Sequence, residues 1–283
     1  MKETVCYSCK SDNYEEWGNE NGFKMVRCNK CGLIYVNPIP EDHEIDLAVK
    51  TGMHKGEILL NVMGSFNDYK IKDYLEKLPE IYDKKILNKS FKWLDIGCGY
   101  GEFIIALKNF AGNKGIYKGI EPNVTKKDFA VSKGLDVDFS DIKNLEGEYF
   151  DFVSMLNVYS HLPDPGLFFT EIRRILKKGG EILIQTGDAE NLRREDFPHT
   201  LFLPDHLSFA TEGIIIKLLK NSGFDKICVK RFHNTGYPVF TTGLKIKKQL
   251  FEILRSIKNR GHKKRNYFIN TDRDMWIRAK KLI

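Results

Sequence analysis

Asp95-Ile96-Gly97-Cys98-Gly99-Tyr100-Gly101 combines one carboxylate with three glycines at alternate positions. Glycines lack Cβ, so the backbone can turn sharply and come close to a ligand, and a helix starting just beyond them offers unpaired N–H groups. Asp95 stands two residues before the first glycine, where a carboxylate can pair with a ligand's ammonium group. Twenty residues past Gly101 comes Glu121, followed by Pro122, at the place of an acid that binds a ribose. Together they describe a nucleotide-like ligand with an amine and a ribose. Such turns also serve NAD, FAD and structural corners. The Gly-x-Gly-x-Gly spacing and the acid placed for an amine, which NAD lacks, weigh against a dinucleotide.

A second chemistry lies at the start of the chain. Cys6-Tyr7-Ser8-Cys9 and Cys28-Asn29-Lys30-Cys31 are two Cys-x-x-Cys knuckles separated by 18 residues, the spacing of a zinc ribbon. Four cysteine ligands, Cys6, Cys9, Cys28 and Cys31, leave no open coordination position, so the expected zinc is structural. Of the six cysteines, Cys98 and Cys228 remain, and both are expected to be small buried side chains in core elements.

Histidines supply the third chemistry. His161, in Tyr159-Ser160-His161-Leu162-Pro163-Asp164-Pro165, and His206, in Pro204-Asp205-His206-Leu207-Ser208-Phe209, are candidate general bases. An imidazole with a near-neutral pKa suits removal of a hydroxyl proton, although a structural histidine in either loop is an equal reading. His43 and His54 stand in no motif and are expected at the surface. Arg193 and Arg194 could receive a phosphate or carboxylate, or simply face solvent.

These residues need particular elements behind them. Phe91 to Ile96 reads as a buried strand and Glu102 to Phe110 as a helix, which makes the glycine stretch a strand-turn-helix corner. Ile116–Ile120 is the next strand, ending at Glu121, and a helix follows from Val124 to Lys133. Phe150–Leu156 is a strand and Phe168–Leu176 a helix. Leu176 to Gln185 holds a glycine turn and the fifth strand. Beyond a polar stretch from Gly187 to Thr211, a helix over 212–221, a strand over 224–230 and a closing strand over 274–279 complete the pattern. Upstream, residues 41–90 read as helical, broken at Gly52, Gly56 and Gly64.

This succession resembles the class I S-adenosylmethionine-dependent methyltransferases, with motifs of the ubiquinone O-methyltransferase type. The carriers are Asp95 to Gly101, Glu121-Pro122, the His161-Leu162-Pro163-Asp164-Pro165 phrase and Leu176-Lys177-Lys178-Gly179-Gly180. Ser160 departs from the glutamate usual before that histidine. The resemblance implies that S-adenosylmethionine is held by Asp95, Gly97, Cys98, Gly99 and Gly101 at its methionine part and by Glu121 and Pro122 at its ribose. It implies adenine contacts from Asp141 and Ile142, and adds Asn157 to the cofactor-binding residues. The fold implied is α/β, a Rossmann-like seven-stranded sheet with helices on both faces behind a small zinc ribbon. Residues 1–37 would be the ribbon, 38–90 a helical segment covering the cofactor, and 91–283 the methyltransferase domain, with an acceptor lid at about 187–211.

Composition sets the outer bounds. At 42% apolar and 29% charged residues the chain is an ordinary globular protein. No apolar run approaches the roughly 20 residues that cross a bilayer, and the start lacks the pattern of a signal peptide, so a cytoplasmic location is expected. The net charge of +7 is uneven: residues 244–283 hold 13 Lys and Arg against 3 Asp and Glu. That segment, with a basic amphipathic helix over 244–258 and a loop over 258–265, could touch an anionic surface.

The expected reaction is methyl transfer to the oxygen of a small molecule, by family analogy a sugar, nucleotide-sugar or polysaccharide component. An RNA methyltransferase is the alternative, disfavoured because Glu3, Asp12, Glu15, Glu16 and Glu20 offset the ribbon's basic residues. A non-catalytic interaction module is the third reading, opposed by the intact acid and glycine set.

Overall fold

The computed structural model describes residues 1–55, 59–61, 63–83, 89–194, 200–232 and 274–282. Three short strands come first: β1 (Tyr14–Glu20), β2 (Phe23–Cys28) and β3 (Ile34–Val36). Asn21 and Gly22, both at positive φ, form the two-residue turn between β1 and β2 that Asn-Gly favours. The knuckle cysteines lie in the turn before β1 and around the turn from β2 into β3.

The segment expected to be helical contains helix α1 (Asp42–Thr51), strands β4 (Met53–Lys55) and β5 (Leu59–Asn61), and helix α2 (Asp68–Ile81). Gly52, with φ 71°, caps α1 in the left-handed conformation. The chain then turns into an antiparallel β4–β5 hairpin instead of a further helix.

Strands and helices alternate from there. They are β6 (Phe91–Ile96), α3 (Glu102–Ala111), β7 (Gly115–Ile120), α4 (Val124–Ser132), β8 (Val137–Asp138), β9 (Phe150–Leu156) and α5 (Pro165–Ile175). After them come β10 (Leu176–Gly187), β11 (Ser208–Phe209), α6 (Glu212–Asn221), β12 (Phe224–Phe232) and β13 (Asp274–Lys281). Seven strands make one sheet in the order β12-β13-β10-β9-β6-β7-β8. β8, β7, β6, β9 and β10 run parallel, while β13 is antiparallel to both β10 and β12.

Alternation along the strands divides the core between two faces. Leu94, Ile96, Val153, Met155, Ile182 and Ile184 pack with residues of α5 and α6. Phe91, Trp93, Phe152, Leu183 and Trp276 pack with α2 and α3, where Trp93 stacks on Phe152 at 4.8 Å. Cys228, expected in the core, is exposed: β12 is the edge strand and its alternate residues leave the sheet.

Described residues between Gly187 and Thr211 lie on the ribbon. β11 pairs antiparallel with β3, Ser208 opposite Tyr35 and Phe209 opposite Ile34, which extends the ribbon to four strands. Beneath this joint Trp17, Met25, Ile34 and Val36 bury an apolar cluster with Ala189, Leu192, Leu201 and Leu203. Arg194 lies against Gly18 of β1. The expected basic helix over 244–258 and loop over 258–265 fall outside the described residues. Among the described residues, no helix is long and apolar enough to cross a membrane.

Candidate active site

Gly97, Gly99 and Gly101 all take positive φ, at 62°, 57° and 89°, and carry the chain from the end of β6 into α3. A Cβ at Gly97 would meet Val158 Cγ2 at 2.6 Å, and one at Gly101 would meet Leu135 Cδ1 at 2.2 Å. At Gly99 nothing lies within 4 Å of that position, so this glycine opens onto free space. The turn is a cradle whose floor packs against neighbours and whose middle faces outward.

Buried carboxylates surround it. Asp95 is 2% exposed and accepts a hydrogen bond from Ser154 Oγ at 2.6 Å, while Trp93 Nε1 donates to the same hydroxyl. Burial pushes the Asp95 carboxyl up to about 7 against the pull of Ser154, with Glu121 and Glu102 adding like charge. Glu121 accepts from the backbone N–H groups of Gly99 at 2.8 Å and Asn123 at 2.9 Å. Burial raises its pKa too, opposed by those two N–H groups, Lys126 and His161. Glu102, which sequence reading did not single out, is buried at the start of α3 and accepts from Asn67 N–H. Three buried acids around a glycine cradle suit a cationic ligand.

The other residues expected around the cofactor lie at the same edge of the sheet, at the C-terminal ends of parallel strands. Pro122 follows β7, and Cys98 is buried in the turn. After β8, Asp141 is exposed and accepts from Lys143 N–H, while the Ile142 side chain is buried in the core with residues of α5. Asn157, exposed with φ 57°, directly follows β9 and donates its N–H to Gln185 O.

The candidate bases meet a few residues further along that edge. His161 ends the 3₁₀ turn Tyr159–His161, and its ring stands 5.0 Å from that of His206. His161 Nδ1 lies 2.8 Å from the Asp205 carbonyl oxygen, and His206 Nδ1 lies 2.9 Å from that of Leu201. A carbonyl only accepts, so each Nδ1 carries its proton and each neutral ring keeps an Nε2 lone pair.

Asp205 joins this pair to a third histidine. Its Oδ1 lies 3.0 Å from His54 Nε2 and 3.4 Å from His161 Nδ1. His54, expected at the surface, is only 6% exposed, because the β4–β5 hairpin carries it in against the loop of residues 200–207. Burial pushes Asp205 up, yet the hydrogen bonds of His161 and His54 hold its carboxyl well below the usual range. Burial lowers His161, but the Asp205 side chain outweighs it and raises the imidazole above its ordinary value. His206 is lowered by burial and by the charge of His161. Donor atoms of His161, Asp205 and His206 lie within 4.8 Å of one another, so the cluster has the geometry of a base with its orienting carboxylate or of a cation site.

At the N-terminus the Sγ atoms of Cys6, Cys9, Cys28 and Cys31 lie within 4.8 Å of one another, with Cys6–Cys31 and Cys9–Cys28 at 3.5 Å. None of the four is in a disulfide, and the set can enclose one tetrahedral ion. The first knuckle continues into the active edge: Tyr7 Oη lies 3.0 Å from both Tyr159 Oη and Ser208 Oγ. Leu207 N–H donates to Ser160 O at 2.6 Å, and Val36 N–H to Leu207 O at 2.8 Å.

Residues 63–229 match the family described as a methyltransferase domain. Relatives include the demethylmenaquinone methyltransferase of Bacillus subtilis (strain 168), 28% identical over 148 residues, which cover 49% of this chain and 61% of that protein. Another is the ubiquinone biosynthesis O-methyltransferase of Pseudomonas aeruginosa (strain UCBPP-PA14), 31% identical over 102 residues, 34% of this chain and 44% of that protein. The chain thus spans about three fifths of the first relative and under half of the second. Among solved structures, a SAM-dependent methyltransferase from Archaeoglobus fulgidus superposes with a TM-score of 0.54 at 20% identity, covering 76% of this chain and 95% of that one. A SAM-dependent methyltransferase from Thermotoga maritima, described as a possible histamine N-methyltransferase, gives 0.52 at 22% identity, over 75% and 89%. At these identities the likeness is one of fold. Since residues 63–229, more than half of this chain, match that family and the sheet has the fold of those structures, the chain belongs to the methyltransferase domain family, among the class I S-adenosylmethionine-dependent methyltransferases.

Proposed function

We propose that this chain transfers a methyl group from S-adenosylmethionine to a hydroxyl of a small polar acceptor, and that zinc in its four-cysteine site is structural. One observation carries the reading: the glycine cradle with its buried acids shares a sheet edge with His161, and Val158, three residues before His161, touches the cradle. When bound, the cofactor would supply a methyl group activated by the sulfonium charge. Asp95 and the cradle backbone would hold the methionine part, and Glu121 the ribose hydroxyls. His161 Nε2 is the candidate to accept the proton of the acceptor hydroxyl, with Asp205 O fixing the tautomer this needs. Alignment and exclusion of water at the buried edge would supply much of the remaining acceleration.

The imidazoles and the Asp205 carboxylate favour an acceptor rich in hydroxyls, a sugar or nucleotide-sugar. A second reading comes from the relatives' names, which point to quinone biosynthesis, and with it a phenolic acceptor. Purified protein with methyl-labelled S-adenosylmethionine, offered nucleotide-sugars in one panel and catechols or hydroquinones in another, separates the two. Label in the first panel alone supports the sugar reading, and label in the second alone replaces it. A folded protein that binds neither S-adenosylmethionine nor S-adenosylhomocysteine would overturn the activity itself.

A further inference from the structure

His54 has no part in the cofactor cradle, yet it is buried and aimed at the carboxylate that serves the candidate base. It is carried by the segment of α1 and the β4–β5 hairpin, whose described residues Lys50, Met63 and Gly64 rest on the cofactor edge. There Asn123 Nδ2 donates to Lys50 O at 3.2 Å and lies 3.2 Å from Met63 Sδ, and Tyr100 Oη donates to Gly64 O at 3.1 Å. One segment therefore touches the turn after Glu121, the glycine turn and, through His54, Asp205.

The contacts on Asp205 Oδ1 are unequal. His54 Nε2 is at full hydrogen-bond distance, 3.0 Å, while His161 Nδ1 is at 3.4 Å and makes its shorter bond, 2.8 Å, to the Asp205 carbonyl. A carboxylate oxygen occupied by one donor holds a second donor less strongly, and a proton on a neighbouring imidazole is held by the charge left to it. We propose that His54 and Asp205 are positioning residues for His161: His54 occupies the Asp205 oxygen that His161 would otherwise have to itself, which weakens the hold of Asp205 on a proton of His161 and favours the neutral, proton-accepting imidazole. The inference rests on the methyltransferase reading. The charged and titratable groups facing His161 are Asp205 and His206 from the 200–207 loop, and Lys126 and Glu121 from the cofactor side. Asp205 is the one held by a second histidine.

The test is a pH titration of the His161 imidazole by proton–carbon NMR in the full-length, zinc-loaded protein, with its signal assigned by its loss in His161→Gln. Asp205→Asn should move the His161 midpoint down, below that of an ordinary histidine. His54→Ala should move it up, because Asp205 then leans on His161 alone. His54→Gln, whose amide N–H can reach the same oxygen, should bring it back toward wild type. Should His54→Ala not fold, His54→Phe removes the donor while filling the space. Structural damage alone would not shift the midpoint in opposite directions in the two variants. No shift in Asp205→Asn, or a downward shift on removal of the His54 donor, overturns the proposal. So does uptake of a second divalent ion that silences the His161 titration, which would make the cluster a cation site. Calorimetry with S-adenosylhomocysteine is read separately: loss of binding in wild type defeats the methyltransferase reading, while the titration still decides the role of His54.

Discussion

The hydroxyl of Tyr7 lies 3.0 Å from that of Tyr159. Tyr7 stands inside the first cysteine knuckle, and Tyr159 opens the turn that ends at His161, so the partly buried Tyr7 side chain carries the ribbon to the edge of the sheet where the buried Tyr159 lies. Ser208 Oγ completes the trio at 3.0 Å from Tyr7. Tyr7→Phe leaves two hydroxyls short of a partner, a loss of about 1–3 kcal/mol for a buried group. A drop in Tm of several degrees is expected by differential scanning fluorimetry, with S-adenosylhomocysteine affinity changed less than about twofold. An unchanged Tm would show that the trio contributes nothing to the joint.

Cofactor binding should depend on pH through Asp95. Burial leaves this carboxyl with a pKa of about 7 in the free protein, so it is half protonated at neutrality. A ligand carrying an ammonium group binds the ionised form and draws the pKa down. Affinity is therefore full above pH 8 and falls below pH 7, by about tenfold between pH 8 and pH 6 if Asp95 alone is responsible. Calorimetric titration with S-adenosylhomocysteine across that range measures it. In the unliganded protein the sign is opposite: a folded pKa above the unfolded value costs stability as pH rises from about 4 to 7. Asp95→Asn should thus raise the Tm at pH 8, flatten the pH dependence of binding and weaken the affinity. A flat wild-type profile would place the ammonium group elsewhere.

The glycine turn and the acids around it were legible in the sequence because their signals are local. Seven consecutive residues from Asp95 to Gly101 specify the turn, and Glu121 needs only the next strand to reach it. Apolar runs likewise marked β6, β7, β9 and β10. The cluster of His54, His161, Asp205 and His206 was not legible, because its contacts join distant parts of the chain. His54 and Asp205 are 151 positions apart, and nothing around His54 marks it as buried. Its hairpin strands are three residues each, too short for a pattern of alternation. β11 is two residues long and exists because β3 offers it an edge. Cys228 failed differently: apolar spacing identified β12, but not that the strand lies at the sheet's edge.

Two glycines of the cradle should respond differently to alanine. Gly101 has φ 89°, and a Cβ there would overlap Leu135, so Gly101→Ala strains the backbone and displaces a core side chain. Expected is a destabilisation of about 2–4 kcal/mol, read in urea unfolding, together with weakened binding. Gly99, at φ 57°, has open space at its Cβ position. Gly99→Ala should cost only the left-handed conformation, about 1–2 kcal/mol, while the new methyl intrudes where the ligand approaches. The contrast to measure is a Tm lowered by only a few degrees, less than in Gly101→Ala, with S-adenosylhomocysteine affinity down at least tenfold. Unimpaired binding in Gly99→Ala would mean that this face of the turn is not the ligand's.

Removing the metal should loosen the acceptor side and spare the cofactor side. Elemental analysis of the purified protein is expected to give one zinc per chain, since four thiols within 4.8 Å of one another would be closed around a single ion. For such small modules the binding energy of the metal is largely folding energy, so stripping it should disorder the ribbon. β3 would then no longer hold β11, and the apolar cluster of Trp17, Met25 and Ile34 with Leu192, Leu201 and Leu203 would open. Limited proteolysis after chelation should therefore cut within residues 189–209 at least tenfold faster, and zinc should restore protection. Among the described residues no hydrogen bond joins the glycine turn or Glu121 to Cys6, Cys9, Cys28 or Cys31, so affinity for S-adenosylhomocysteine should change less than about threefold. Turnover should fall much further, because Tyr159 and the Leu207–Ser160 hydrogen bond position His161 from the ribbon side. Equal losses of binding and turnover would show that the ribbon supports the whole domain, whereas an unchanged rate would show that His161 is held without it.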